Sequence, residues 1–360
     1  MILQANEKPA PNPIRTLIVD DAPLMRKAIQ KILGGNGLIE VVGTASNGRE
    51  CLNKIADYEP DVITLDIDMP IMNGISAVKN IMVRHQLPII IISSLVHDGY
   101  FAFEALRLGV MDFVPKPSRI GDMNWDYEEE LVRQRVLTAA CMQVHRMRRV
   151  RLKHKQQAVR FGKEKRPKSA VVMGTNIAGP NTIMHLVTQL PADFDGVIVA
   201  LQEIHPKILV PFCSHFNEIS PLEVIPVVSE SVLMPGRVYI GSTFTGCAVE
   251  KCGKGALQVR PTESAAYPID QLFESAADVF HKRLCGVLLT GIGTDGAAGI
   301  HQIKKKGGLT IAQEQSCSPY PNLVENALAK ETVDAVLSTK AIATRLQSWI
   351  ANGSRKADVG

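Results

Sequence analysis

Five short, almost wholly apolar runs alternate with amphipathic stretches across the first 118 residues, and few architectures accept that pattern. The runs are "TLIVD" (16–20), "IEVVGT" (39–44), "DVITLD" (61–66), "PIIIISS" (88–94) and "MDFVP" (111–115). Near-continuous apolar runs of this length suit strands buried on both faces. Between them, segments near 22–33, 47–57, 73–85 and 99–108 show helical spacing, with turn signals at Gly34-Gly35, Asn47-Gly48 and Asn73-Gly74. Strand and helix in alternation predict a five-stranded, doubly wound parallel sheet, whose ligands meet the carboxyl ends of the strands.

Those ends carry chemistry. The first run closes on Asp20-Asp21, the third on Asp66, the fourth on Ser93-Ser94, and Lys116 follows the fifth. Three carboxylates on one rim repel each other unless a cation sits among them, and a hard divalent ion such as Mg²⁺ accepts an all-oxygen donor set. One carboxylate can then be phosphorylated while Ser93 and Lys116 take up the new oxygens. The series Asp-Asp, "TLDIDMPIMNG", "ISS", "DFVPKP" resembles the receiver domain of two-component response regulators, a flavodoxin-like fold. The resemblance implies that Asp66 is the phosphoacceptor, that Asp20, Asp21 and Asp66 hold Mg²⁺, that Ser93 and Lys116 sense the acyl phosphate, and that Phe113 reports the switch. It also implies a histidine kinase as partner.

At 360 residues, 46% apolar and 21% charged, the chain suits two globular domains. It has no 18-residue apolar run, and "MILQANEKPAPNP" reads as a frayed lead-in, so a cytoplasmic protein without membrane insertion is expected. Seven cysteines without a Cys-x-x-Cys pair fit reduced thiols. Residues 146–168 hold 11 Lys/Arg and one Glu, which leaves 29 basic and 35 acidic residues elsewhere. Such a run suits nucleic acid or an acidic membrane, but Phe161 is its lone aromatic and no DNA-reading motif accompanies it. It is read as a solvated linker, with no nucleic-acid partner. The expected boundaries are 14–118 for the receiver, 119–168 for a helix and basic linker, and 169–352 for a second α/β domain.

In that second domain "AVVMG" (170–174), "GVIVAL" (196–201), "GVLLTG" (286–291) and "LTIAQ" (309–313) predict a mostly parallel sheet, with helices near 179–189, 206–216, 269–281 and 296–306. Between 223 and 260, "LEVIPVV", "RVYIG", "CAVEK" and "ALQVR" read as antiparallel strands inserted into the sheet. "GIGTDG" (291–296) satisfies Gly-x-Gly-x-x-Gly, with Glu314 near the place of a ribose-binding acid, but Asp295 would face a pyrophosphate with like charge.

"PGRVYIG", "IDQLFESAA", "GVLLTGIGTDGAAGI" and "GGLTIAQEQ" resemble the chemotaxis receptor methylesterase (CheB-type) family, whose members demethylate chemoreceptor glutamates and deamidate certain glutamines with a serine, a histidine and an aspartate. The resemblance adds a chemotaxis-type kinase and the chemoreceptor cytoplasmic region as partners. Carried over, the serine falls on Asn176 in "GTNIAGP", the histidine on Glu203 and the aspartate on Asp295. The family's Gly-Met-Pro segment is missing from "YPNLVENAL", and its Pro-Gly-x-x-His is replaced by "GSTFTG".

Acyl transfer by this route needs a hydroxyl nucleophile, an imidazole base and an orienting carboxylate. Losing the serine or histidine alone costs about a million-fold in turnover. A degenerate site is therefore expected, with protein binding or a phosphate-sink role in place of hydrolysis; the alternative is an active methylesterase and deamidase. Glu203 beside Asp295 is expected to raise one carboxyl's pKa or to attract a metal. Thr175 and His205 are the candidate substitutes for the missing groups, against packing and helix capping as their plain roles.

Overall fold

The computed structural model describes residues 12–35, 37–94, 99–116, 125–151, 166–263, 266–329 and 331–357. Residues 117–124 and 152–165, parts of the expected linker, and residues 1–11 of the lead-in lie outside the described residues. Contacts divide the chain into two compact units, Met1–Ser93 with Val114–Cys141, and Ser94–Phe113 with Met142–Gly360.

In chain order the first elements are β1 (Ile14–Val19), α1 (Pro23–Leu33), β2 (Ile39–Ala45), α2 (Gly48–Tyr58), β3 (Val62–Leu65), α3 (Gly74–Arg84), β4 (Ile89–Ser93), α4 (Gly99–Leu108), β5 (Asp112–Pro115) and α5 (Trp125–Ala139). The sheet order is β2-β1-β3-β4-β5. The chain moves one way from β1 to β2 and the other way from β1 to β3, so a switch point opens between β1 and β3. Asp20 and Asp66 follow those two strands, and Asp66 N–H donates to Val19 O at 2.8 Å. α2 and α3 begin where the asparagines sit: Asn47 and Asn73 accept from the N–H groups of Glu50 and Ser76. At the start of α3, a Cβ on Gly74 would lie 2.2 Å from Asp66 O, so only glycine lets this helix meet the end of β3.

The second unit continues with β6 (Ala170–Gly174), α6 (Gly179–Val187), β7 (Val197–Gln202), α7 (Pro206–Ile219), β8 (Glu223–Pro226), β9 (Ser231–Val232), β10 (Arg237–Ser242), β11 (Cys247–Cys252) and β12 (Ala256–Pro261). It ends with α8 (Pro268–Phe280), β13 (Leu284–Leu288), α9 (Ala297–Lys305), β14 (Leu309–Gln313), α10 (Asn322–Leu328), β15 (Ala335–Leu337) and α11 (Thr339–Ala357). Seven strands form one sheet in the order β15-β14-β13-β6-β7-β10-β8, and every pairing in it is parallel.

This corrects the antiparallel reading of residues 223–260. β8 and β10 are parallel members of the main sheet, whereas β11 and β12 pair antiparallel in a separate three-stranded sheet with β9. Apolar periodicity marks a strand's faces but not its partner, and the two kinds look alike in sequence.

α8 closes one face of the main sheet. Ile269, Leu272, Phe273 and Ala276 are fully buried with Val197, Val199, Leu201 and Leu288 in one cluster. Each large side chain so buried contributes about 1.5–3 kcal/mol. A second switch point lies between β6 and β13, which neighbour each other although more than 100 residues separate Ala170 from its partner Leu284.

Candidate functional site

At the first rim, Asp20 and Asp66 are buried and Asp21 is exposed. One carboxylate oxygen from each lies within 4.8 Å of the others. Lys116 Nζ donates to Asp66 Oδ2 at 2.6 Å. It also pairs with Asp20 Oδ2 at 2.8 Å, but outside hydrogen-bond geometry, so that this buried oxygen has charge compensation and no hydrogen bond.

Burial raises the Asp20 carboxyl above its ordinary value, with the Asp66 charge adding to it, against the pull of Lys116 and of Ala22 N–H. Lys116 is desolvated too, yet the two close carboxylates of Asp20 and Asp66 outweigh that and hold its ammonium above the usual range. An all-oxygen donor set with one buried oxygen lacking a hydrogen bond fits a hard divalent cation.

The neighbouring groups are fixed by backbone. Arg26 Nη1 donates to the carbonyls of Asp20 and Asp21 at 2.6 and 3.0 Å, a clamp that no sequence signal marked. Ser93 is buried at the end of β4, and its carbonyl accepts from Lys116 N–H at 3.0 Å. Phe113 is buried in β5.

At the second rim, β13, β6 and β7 end level, with Leu288, Gly174 and Leu201 paired. Asn176 stands two residues past the end of β6 and Glu203 one past the end of β7, and Asp295 follows β13 through a glycine-rich loop. The Asn176 carboxamide oxygen accepts from Ile177 N–H at 2.8 Å and from Ile292 N–H at 2.9 Å. Its nitrogen donates to Ile292 O at 2.7 Å. A Cβ on Gly291 would lie 2.2 Å from that oxygen, so glycine leaves room for the carboxamide.

The rest of the loop is satisfied internally. Gly291 N–H donates to Tyr320 O at 2.8 Å, and Gly293 N–H to Asn322 Oδ1 at 2.8 Å. With Ile292 already committed to Asn176, three consecutive N–H groups that a pyrophosphate would need are taken, which removes the dinucleotide reading of "GIGTDG".

Asp295 accepts from Ile269 N–H at 3.0 Å and Asp270 N–H at 2.9 Å, at the start of α8. A carboxylate at a helix N-terminus satisfies orphan donors and meets the positive end of the dipole. Burial nevertheless raises the Asp295 carboxyl above its ordinary value, against the lowering by those two N–H groups. The like charge that adds to the rise belongs to Asp270 and not, as the sequence suggested, to Glu203.

The candidate substitutes are engaged elsewhere. Thr175 is fully buried and its hydroxyl donates to Thr290 O at 2.6 Å. His205 caps α7, its Nδ1 accepting from Lys207 N–H at 3.2 Å. Among the described residues, no group of three His, Cys, Asp or Glu ligands gathers around Glu203 and Asp295.

Comparison with known proteins places this geometry. The family described as CheB methylesterase matches residues 171–346, and the response regulator receiver domain matches residues 16–125. A protein-glutamate methylesterase/protein-glutamine glutaminase 2 of Carboxydothermus hydrogenoformans is 34% identical over 348 residues, covering 92% of this chain and 98% of the relative. The chain belongs to the CheB methylesterase family.

Another relative, a protein-glutamate methylesterase/protein-glutamine glutaminase of Symbiobacterium thermophilum, is 34% identical and covers 95% of this chain and 98% of its own length. A protein of the same name from Pyrococcus horikoshii is 32% identical, with 91% of each chain covered. The CheB framework here thus comprises a response regulator receiver and a methylesterase-type α/β domain, and no described helix is long and apolar enough to cross a membrane.

Proposed function

We propose that this chain is a chemotaxis-type response regulator, phosphorylated on Asp66, whose methylesterase-like unit does not hydrolyse esters and acts by binding protein or as a phosphate sink. The observation that carries the second half is the double acceptance at Asn176 Oδ1. Ile177 N–H and Ile292 N–H converge on one oxygen at 2.8 and 2.9 Å, the geometry by which paired backbone donors hold an oxyanion. Here the protein's own carboxamide takes both donors, at the position where the family pattern has its serine. Glu203 stands at the histidine position, so neither the attacking hydroxyl nor its imidazole base is present. Asp295 keeps a structural task at the start of α8.

In the receiver, an Asp66 carboxylate oxygen bonds to phosphorus as the bond from phosphorus to the donor's leaving group breaks. Lys116, already 2.6 Å from Asp66, follows the charge onto the new phosphoryl oxygens together with Ser93. Asp20, Asp21 and Asp66 hold Mg²⁺, which when bound neutralises charge on the incoming phosphoryl group. The phosphoryl donor is a chemotaxis-type histidine kinase, and the partner surface is that of a chemoreceptor's cytoplasmic region or of its signalling complex.

Acetyl phosphate with Mg²⁺ should label the wild type, and Asp66→Asn should abolish the label; equal labelling of both would remove the receiver assignment. Methanol release from methylated receptor membranes should stay at the background rate. The alternative is an active esterase, as the relatives are named, and methanol release that is lost in Asp295→Ala would establish it.

A further inference from the structure

The second unit holds a cationic cavity lined by none of the rim residues described above. Its volume is about 750 Å³, and it is lined by Arg107, Arg148, Arg149, Arg151 and His185. Its frame is fixed by buried contacts. Arg107 in α4 is 2% exposed, and its guanidinium forks onto Glu104 with Nε–Oε1 and Nη2–Oε2 distances of 2.7 and 2.6 Å. The same guanidinium donates to Val150 O at 2.7 Å, while Val150 N–H donates back to Arg107 O at 3.2 Å. Arg146 is tied down in turn, donating to Gln315 O at 2.6 Å and Ser318 O at 3.1 Å. The strip 146–151 is therefore pinned at Arg146 and at buried Val150, and the arginines between and beyond these pins are held near one another.

Arg148, Arg149 and Arg151 are exposed, and among the described residues no carboxylate pairs with them. Glu104 answers Arg107 alone. Three uncompensated guanidiniums around one cavity repel each other, and an anion between them relieves that repulsion. Guanidinium forks match phosphate oxygens two at a time. The volume lies within the range of small-molecule sites. Among the described residues no aromatic ring other than the His185 imidazole lines the cavity, so a stacked run of bases finds no platform there.

We propose that this cavity binds a small molecule carrying two or more phosphoryl groups. The proposal is independent of the readings of Asp66 and Asn176. Its test is calorimetric titration of the full-length chain bearing Asp66→Asn, in EDTA, with inorganic tripolyphosphate and separately with ATP. Both choices keep the receiver site silent. At about 150 mM salt one saturable site is expected. Arg148→Gln with Arg151→Gln should weaken binding about tenfold or more without changing the melting temperature.

Lys282→Gln with Lys305→Gln removes the same charge from exposed positions of this unit and should leave binding intact. ATP bound more tightly than tripolyphosphate identifies a nucleoside polyphosphate, and equal affinity an inorganic one; either supports the proposal. Absence of saturable binding, equal losses in the two double variants, or displacement by equimolar sulfate would overturn it. So would tighter binding of a short DNA duplex or of phosphatidylglycerol vesicles through the same two arginines.

Discussion

Exchange of Asn176 for serine alone should leave the chain inert toward esters, because a hydroxyl without an imidazole partner stays protonated. Asn176→Ser combined with Glu203→His should bring measurable methanol release, since Ile177 and Ile292 then regain free N–H groups for an oxyanion. Adding Asp295→Asn should lower that rate about ten-thousandfold. A double variant as silent as the single ones would mean that more of the site has changed than these two positions.

Asp20 offers a test by pH. Its pKa is raised, so its contribution to stability is complete below the ordinary value of 3.8 and is lost as pH rises through the folded value. Without divalent ions, Asp20→Asn should therefore gain in melting temperature over wild type as the pH goes from 4 to 7, the gap widening upward. The side chains that stand at both rims were legible in sequence because they directly follow the apolar runs that mark the strands. What they touch was not. Ile177 is the next residue along, but the second donor to Asn176, Ile292, lies 116 residues away, and those to Asp295 come from a helix start 26 and 25 residues earlier, distances in sequence that no local pattern encodes.

Among the elements, α2 shows how side-chain chemistry starts a helix. Asn47 caps Glu50 N–H at 3.0 Å, and Glu50 reaches back to Ser46 N–H and Oγ at 2.7 and 2.6 Å and to Lys54 at 2.7 Å. Asn47→Ala should cost about 1 kcal/mol in denaturant unfolding. The Lys54 and Ser46 hydrogen bonds pull the Glu50 carboxyl down to about 2. Its contribution is present above the ordinary value of 4.5 and is lost as pH falls toward about 2, so Glu50→Gln should flatten the acid limb of the stability curve in that window.

The strands and helices of the first unit were legible from apolar runs and their turn signals. In the second, β8 and β10 were seen as strands and given the wrong direction. Their direction follows from the connections through α7 and the β9 region, which carry the chain back across the sheet before each new strand begins. β15, the three-residue edge strand, left no run long enough to notice.

For the molecule as a whole, both sheets put their chemistry at a reversal of strand order, Asp20 and Asp66 at one and Asn176 with the 291–295 loop at the other. One rim gathers three carboxylates beside Lys116 and Ser93, and at the other an amide oxygen takes two backbone N–H groups. The buried cluster under α8 includes neither Asn176 nor Glu203. The pairing of β6 with β13 has a further consequence for synthesis. As the chain leaves the ribosome, β6 emerges long before the strand that covers its second edge, and contacts so distant form slowly. A product that stops short of Leu284 would carry a bare row of amide and carbonyl groups at the centre of its apolar sheet, and such fragments should clump with one another and be cleared by proteases.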